Sequence, residues 1–128
     1  MKNKYNVPIL FIVYKRPSLT RIVFNEIREI KPTQLFIFAD GPKEGEESKC
    51  KTVREIITQV DWDCEIKTLF QTKNLGCKWG EFTAMDWFFA HVEEGIIIED
   101  DVLSDSSMFS YFKELLIRYS RFRLFKDK

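Results

Sequence analysis

Short apolar runs alternate with segments of helical periodicity four times along these 128 residues, an order that few folds accommodate. Pro8 to Tyr14, Leu35 to Ala39 and Gly95 to Ile98 are rich in β-branched and aromatic residues and read as buried strands. Glu65 to Phe70 alternates more weakly, which suits a strand at a sheet edge. Strands of this length, each followed by a helix and joined by short connections, argue for an α/β fold. A Rossmann-like parallel sheet covered on both faces is expected, and right-handed crossovers favour the strand order 3-2-1-4. That order puts a switch point between the first and fourth strands, and ligands of such sheets bind beyond the carboxyl ends of the strands there.

The helical segments carry their own punctuation. Pro17 and Ser18 open the first, Leu19, Ile22, Val23, Ile27 and Ile30 recur at its spacing, and Pro32 ends it. Asp40-Gly41-Pro42 turns the chain, and the polar stretch Lys43 to Lys49 leads to a second helix with Val53, Ile56, Ile57 and Val60 as its buried stripe. Asn74-Leu75-Gly76 precedes a third helix over roughly Lys78 to Val92. Phe82, Met85, Phe88, Phe89 and Val92 mark its apolar face, and Trp79 and Trp87 are expected to join the core. A last helix is expected from near Ser106, burying Phe109, Phe112 and Leu116.

Twenty basic residues balance twenty acidic ones, so no global field favours nucleic acid and any anion site must be local. Length and a 45% hydrophobic content fit one compact domain over residues 1–128. Cys50, Cys64 and Cys77 form no C-x-x-C pair and have one histidine to share, which suits reduced structural thiols. The apolar run after Lys4 leads into Lys15-Arg16-Pro17 rather than a signal cleavage site, and no segment is long enough to span a bilayer. A cytoplasmic setting is expected.

The fourth strand ends in Glu99-Asp100-Asp101. Three adjacent acids repel one another, and ionising all of them where solvent is restricted calls for a compensating cation. Mg²⁺ or Mn²⁺ takes one or two protein carboxylates and completes its shell with water and phosphate oxygens. In the expected topology Lys15 and Arg16 face this cluster across the switch point. A Walker loop is excluded, since Lys-Arg-Pro-Ser follows the first strand, and no G-x-G-x-x-G occurs. A receiver domain would spread its acids over the first and third strand ends.

Five separated segments resemble one family. They are Tyr14-Lys15-Arg16-Pro17, Ala39-Asp40-Gly41-Pro42, Asp61-Trp62-Asp63-Cys64, Asn74-Leu75-Gly76-Cys77-Lys78 and Val92 to Asp101. In order and spacing, from about Pro8 to Tyr119, they are similar to bacterial sugar-nucleotide glycosyltransferases of the GT-A fold, including hemolytic-protein-like members. The Glu-Asp-Asp motif is also similar to that of N-acetylglucosaminyltransferase I, where it plays the part of a DxD motif.

The resemblance implies a nucleotide-diphosphate sugar as donor and Mn²⁺ or Mg²⁺ as cofactor, with Asp101 as the metal ligand. Glu99 and Asp100 would contact the ribose or metal-bound water, Asp40 would accept a hydrogen bond from the base, and Arg16 would sit near base or phosphates. Lys78, at a helix start where it opposes the dipole, is a further phosphate or sugar contact. Plainer readings stand beside these: Asp40 as a turn former, Arg16 and Lys78 as solvated side chains, His91 as a dipole-compensating surface residue. Trp79 and Phe82 depart from the smaller or basic residues of the family pattern.

The expectation is therefore an N-terminal half of a GT-A fold, with an atypical tail at residues 120–128 and the acceptor side lacking. Its function is donor binding for transfer to the hydroxyl of an unidentified saccharide acceptor. An inactive donor-binding module and a structural or interaction protein that keeps the fold are the alternatives. The outer edge of the fourth strand is expected to allow self-association.

Overall fold

The computed structural model describes residues 4–101 and 113–114. β1 (Ile9–Val13), α1 (Pro17–Ile30), β2 (Gln34–Ala39), α2 (Glu47–Ile57), β3 (Glu65–Phe70), α3 (Cys77–Phe89) and β4 (Ile96–Glu99) follow in strict alternation. The four strands form one parallel sheet in the order β3-β2-β1-β4. This is the α/β, Rossmann-like arrangement expected from the alternation of periods. β3 and β4 form the two edges among the described residues.

Crossover handedness distributes the helices. The chain steps outward from β1 to β3 through α1 and α2, then returns past β1 to β4 through α3, so α3 must lie on the opposite face. On one face Val23, Phe24 and Ile27 of α1 and Val53, Ile56 and Ile57 of α2 pack over Ile9, Phe11, Leu35, Ile37 and Ile98. On the other, Ala84 and Phe88 of α3 pack over Leu10, Phe36 and Phe38. Neighbouring residues of β1 and β2 thus bury opposite faces, which is why those strands read as unbroken apolar runs.

Local signals set the helix ends. Pro17 occupies the first turn of α1, where a missing N–H costs nothing, and Lys31 closes the helix in the left-handed conformation (φ 54°), donating its N–H to the Ile27 carbonyl at 3.0 Å. α3 starts at Cys77 and ends at Phe89, one residue earlier and three residues short of the span expected from the sequence. Val60 lies beyond α2 yet still packs against its core.

Three apolar side chains depart from expectation. Ile22 is exposed, because Thr20, Val23, Phe24 and Ile27 set the inward face of α1. Trp79 and Phe82 are about three-fifths exposed rather than core. α3 is apolar on nearly every side, so its sequence does not say which stripe turns inward; Gly80, Ala84 and Phe88 do, and Trp79 and Phe82 fall on the opposite face. There the two rings meet edge to face at 5.9 Å.

The helix expected from Ser106 and the atypical tail lie outside the described residues, apart from Lys113 and Glu114. Lys113 Nζ donates to the Lys4 carbonyl at 2.8 Å. Among the described residues no helix is long and apolar enough to cross a membrane.

Candidate functional site

At the carboxyl ends of β1, β2 and β4 the chain leaves a pocket of about 300 Å³. Arg16 and Lys15 follow β1, Asp40 and Lys43 follow β2, and Glu99, Asp100 and Asp101 follow or end β4. Gly76, Cys77, Gly80 and Glu81 close it from the first turns of α3. The pocket lies at the topological switch point, where adjacent connections diverge to opposite faces and open a crevice.

Asp40 is 7% exposed and organises the floor. Its Oδ1 accepts hydrogen bonds from the Gly41 N–H at 2.8 Å and the Leu75 N–H at 2.9 Å. The Asn74 amide donates to Asp40 Oδ2 at 3.3 Å and to the Gly41 carbonyl at 2.9 Å. One carboxylate thus ties the turn after β2 to the loop before α3. It also faces Gly80, where an added Cβ would come within 3.3 Å of Oδ2, a contact tight enough to press on the carboxylate by a few tenths of an ångström. Arg54 braces the same floor from outside, donating to the carbonyls of Asp40 at 3.1 Å and Gln71 at 2.7 Å, with its guanidinium over the Phe70 ring.

A second anchor joins β1 to the loop before α2. Glu46 accepts hydrogen bonds from Lys15 Nζ at 2.7 Å, from the Tyr14 hydroxyl, and from the Lys43 N–H at 2.9 Å. The Lys15 bond, then the Tyr14 and Lys43 bonds, pull its carboxyl from an ordinary 4.5 down to about 2. A depressed folded value means stability that is complete above about pH 4.5 and is lost as pH falls toward 2. The expected result is that Glu46→Gln lowers the denaturation midpoint at pH 7, while the gap to wild type narrows steadily as titrations are repeated down to pH 3. A constant gap across that window would mean that the charge on Glu46 does not carry the anchor.

The acidic rim has a different balance. Burial, followed by a hydrogen bond to Glu81 and the charges of Glu81, Asp101 and Asp100, pushes Glu99 up to about 7. Burial also raises Asp100, which is 9% exposed, against the opposing charge of Arg16. Asp101 is half exposed and pairs with Arg16, its Oδ2 lying 3.7 Å from Nη1. Glu81, Glu99, Asp100 and Asp101 offer only hard oxygen donors, and a bound divalent cation would favour the ionised forms of Glu99 and Asp100 that burial opposes. Among the described residues no three His, Cys, Asp or Glu side chains converge as a ready cage. A Mg²⁺ or Mn²⁺ ion held by one or two carboxylates, with water and phosphate filling its shell, requires no such cage, and this donor set fits it.

Of the residues singled out from sequence, Arg16, Asp40, Glu99, Asp100 and Asp101 come together in one pocket. Lys78 does not join them: it is exposed on α3 and outside the pocket wall. His91, near the end of α3, is exposed with Nδ1 2.9 Å from the Trp87 carbonyl, away from the pocket. Sequence reasoning missed Glu81, Glu46 and the anchoring part of Tyr14. Glu81 carried no usable signal, because α3 is apolar on nearly every side and only its packing on the sheet turns Glu81 toward the strand ends. Gly76, with φ 87°, begins α3 without a side-chain cap, leaving the first backbone N–H groups of the helix at the pocket wall. Compared with protein-family models and with curated proteins, the chain gives no match.

Proposed function

We propose that this protein is a glycosyltransferase-like donor-binding domain that holds a nucleotide-diphosphate sugar through Mn²⁺ or Mg²⁺. The observation that carries the reading is the pocket at the β1/β4 switch point, where a guanidinium and three consecutive acidic residues meet beside an uncapped helix N-terminus. A diphosphate needs both parts. Arg16 and the α3 N–H groups suit its oxygens, and Asp101, with Glu99 or Asp100 beside it, would share the cation that neutralises the rest. The cation, when bound, would offset the charge of the diphosphate. Asp40 Oδ2, engaged by a single long contact, retains acceptor capacity for a base N–H.

Transfer to an acceptor hydroxyl is the further step of the same proposal, and a turnover assay with saccharide acceptors separates it from donor binding alone. A cytoplasmic setting belongs to it too, supported by three unpaired cysteines, of which Cys50 is buried.

Calorimetry with a panel of sugar nucleotides, with and without Mn²⁺, tests the donor site. Binding is expected to tighten with metal and, in the presence of metal, to weaken by at least about tenfold in Asp101→Ala while circular dichroism stays unchanged. Equal affinity in that variant removes the metal assignment, and no binding of any sugar nucleotide removes the donor-site reading.

A further inference from the structure

We propose that the Arg16–Asp101 ion pair is a latch at the pocket mouth that makes a divalent cation and a diphosphate bind cooperatively. The inference rests on the donor-site reading above. β1 and β4 pair side by side, with Ile12 opposite Glu99 and the Asp100 N–H bonded to the Ile12 carbonyl at 3.2 Å, so the two connections leave the sheet together. Arg16, directly before α1, and Asp101, two residues past β4, therefore meet at 3.7 Å with each side chain 52% exposed.

Each member of this pair is a group that one ligand requires. A cation taken up by Asp101 competes with the guanidinium for the same carboxylate and repels it. A diphosphate taken up by Arg16 draws the guanidinium from Asp101 and leaves that carboxylate without its counter-charge. Either ligand alone must break the pair, whereas both together give each residue a new partner. Lys15 is not placed this way, because its ammonium is held at 2.7 Å by Glu46. Exposed ion pairs are weak, so the latch reduces each single-ligand affinity by only about two- to fivefold, and the coupling is reciprocal.

The full chain is titrated with Mn²⁺ alone and, in the presence of a chelator, with pyrophosphate alone. Wild type is compared with Arg16→Met, Asp101→Asn and the double variant. Arg16→Met is expected to bind Mn²⁺ about two- to fivefold more tightly, and Asp101→Asn to bind metal-free pyrophosphate more tightly by a similar factor. The pyrophosphate gain should vanish when Arg16 is already methionine, which a general loss of negative charge would not produce. Measurable binding with unchanged or weaker affinities in the single variants, or a gain that persists without Arg16, overturns the latch and leaves the donor site standing. Failure of every form to bind either probe overturns both.

Discussion

Phe88→Ala is expected to cost about 3–5 kcal/mol of unfolding free energy, the range for removing a fully buried aromatic ring. Phe88 has no exposed surface and is the main attachment of α3 to its face of the sheet, packing with Leu10, Phe36, Phe38 and Ala84. It meets Phe36 edge to face at 4.9 Å and Phe89 at 5.0 Å, contacts that add to the burial of the ring. The space it fills is continuous with Gly95, where an added Cβ would lie 2.4 Å from Phe88 Cζ and 2.9 Å from the Pro8 carbonyl oxygen. The strand backbone cannot close over such a hole without breaking the pairing of β4 with β1, so most of the cavity should remain. Urea titration should show a lower midpoint at unchanged slope. A loss below about 1 kcal/mol would mean that α3 is held mainly by something other than this ring.

Gly41→Ala should be the second severe change, at about 2–3 kcal/mol, in the upper part of the range for overpacking. A Cβ there would come within 2.5 to 2.7 Å of the backbone C, O and N atoms of Lys73. Backbone cannot rotate away as a side chain can. Asp40 and Asn74 also bind the two loops together across this contact. Relief therefore requires separating the turn after β2 from the loop before α3, which weakens the floor of the pocket as well as the fold. Gly45→Ala is the matched control, since nothing lies within 4 Å of its Cβ position and only its left-handed backbone (φ 90°) resists substitution. Thermal melting should show a fall of several degrees for Gly41→Ala and a clearly smaller one for Gly45→Ala. Equal shifts would mean that the close approach to Lys73 is not what requires glycine at position 41.

Both changes act where distant segments meet, and that is where sequence reasoning was weakest. Phe88 was legible as an apolar helix residue, but so were Trp79 and Phe82, which face outward. A helix apolar all round carries no moment to orient it, and its rotation is settled by which residues the sheet accepts. The same rotation brings Glu81 to the acidic rim and leaves Lys78 in solvent. Asp40 was readable as the head of an Asp-Gly-Pro turn, because that preference is local. Its bond to Leu75, 35 residues on, was not. Glu46 lay in a charged stretch that reads simply as a loop, and its grip on Tyr14 and Lys15 exists only because the residues after β1 and the residue before α2 come together at the carboxyl end of the sheet.

What the amino-acid order determined by itself was the alternation of strand and helix, the parallel sheet in the order 3-2-1-4, and the place where its connections diverge. Each of these follows from periodicity over a few residues combined with the handedness of crossovers, so no knowledge of packing was needed. Tertiary structure alone decided how α3 turns on the sheet, how Asp40 and Glu46 tie separate loops into one pocket, and that Arg16 and Asp101 already hold each other at its mouth. Those outcomes depend on side chains far apart in the chain coming within a few ångströms, and local propensity carries no record of that distance.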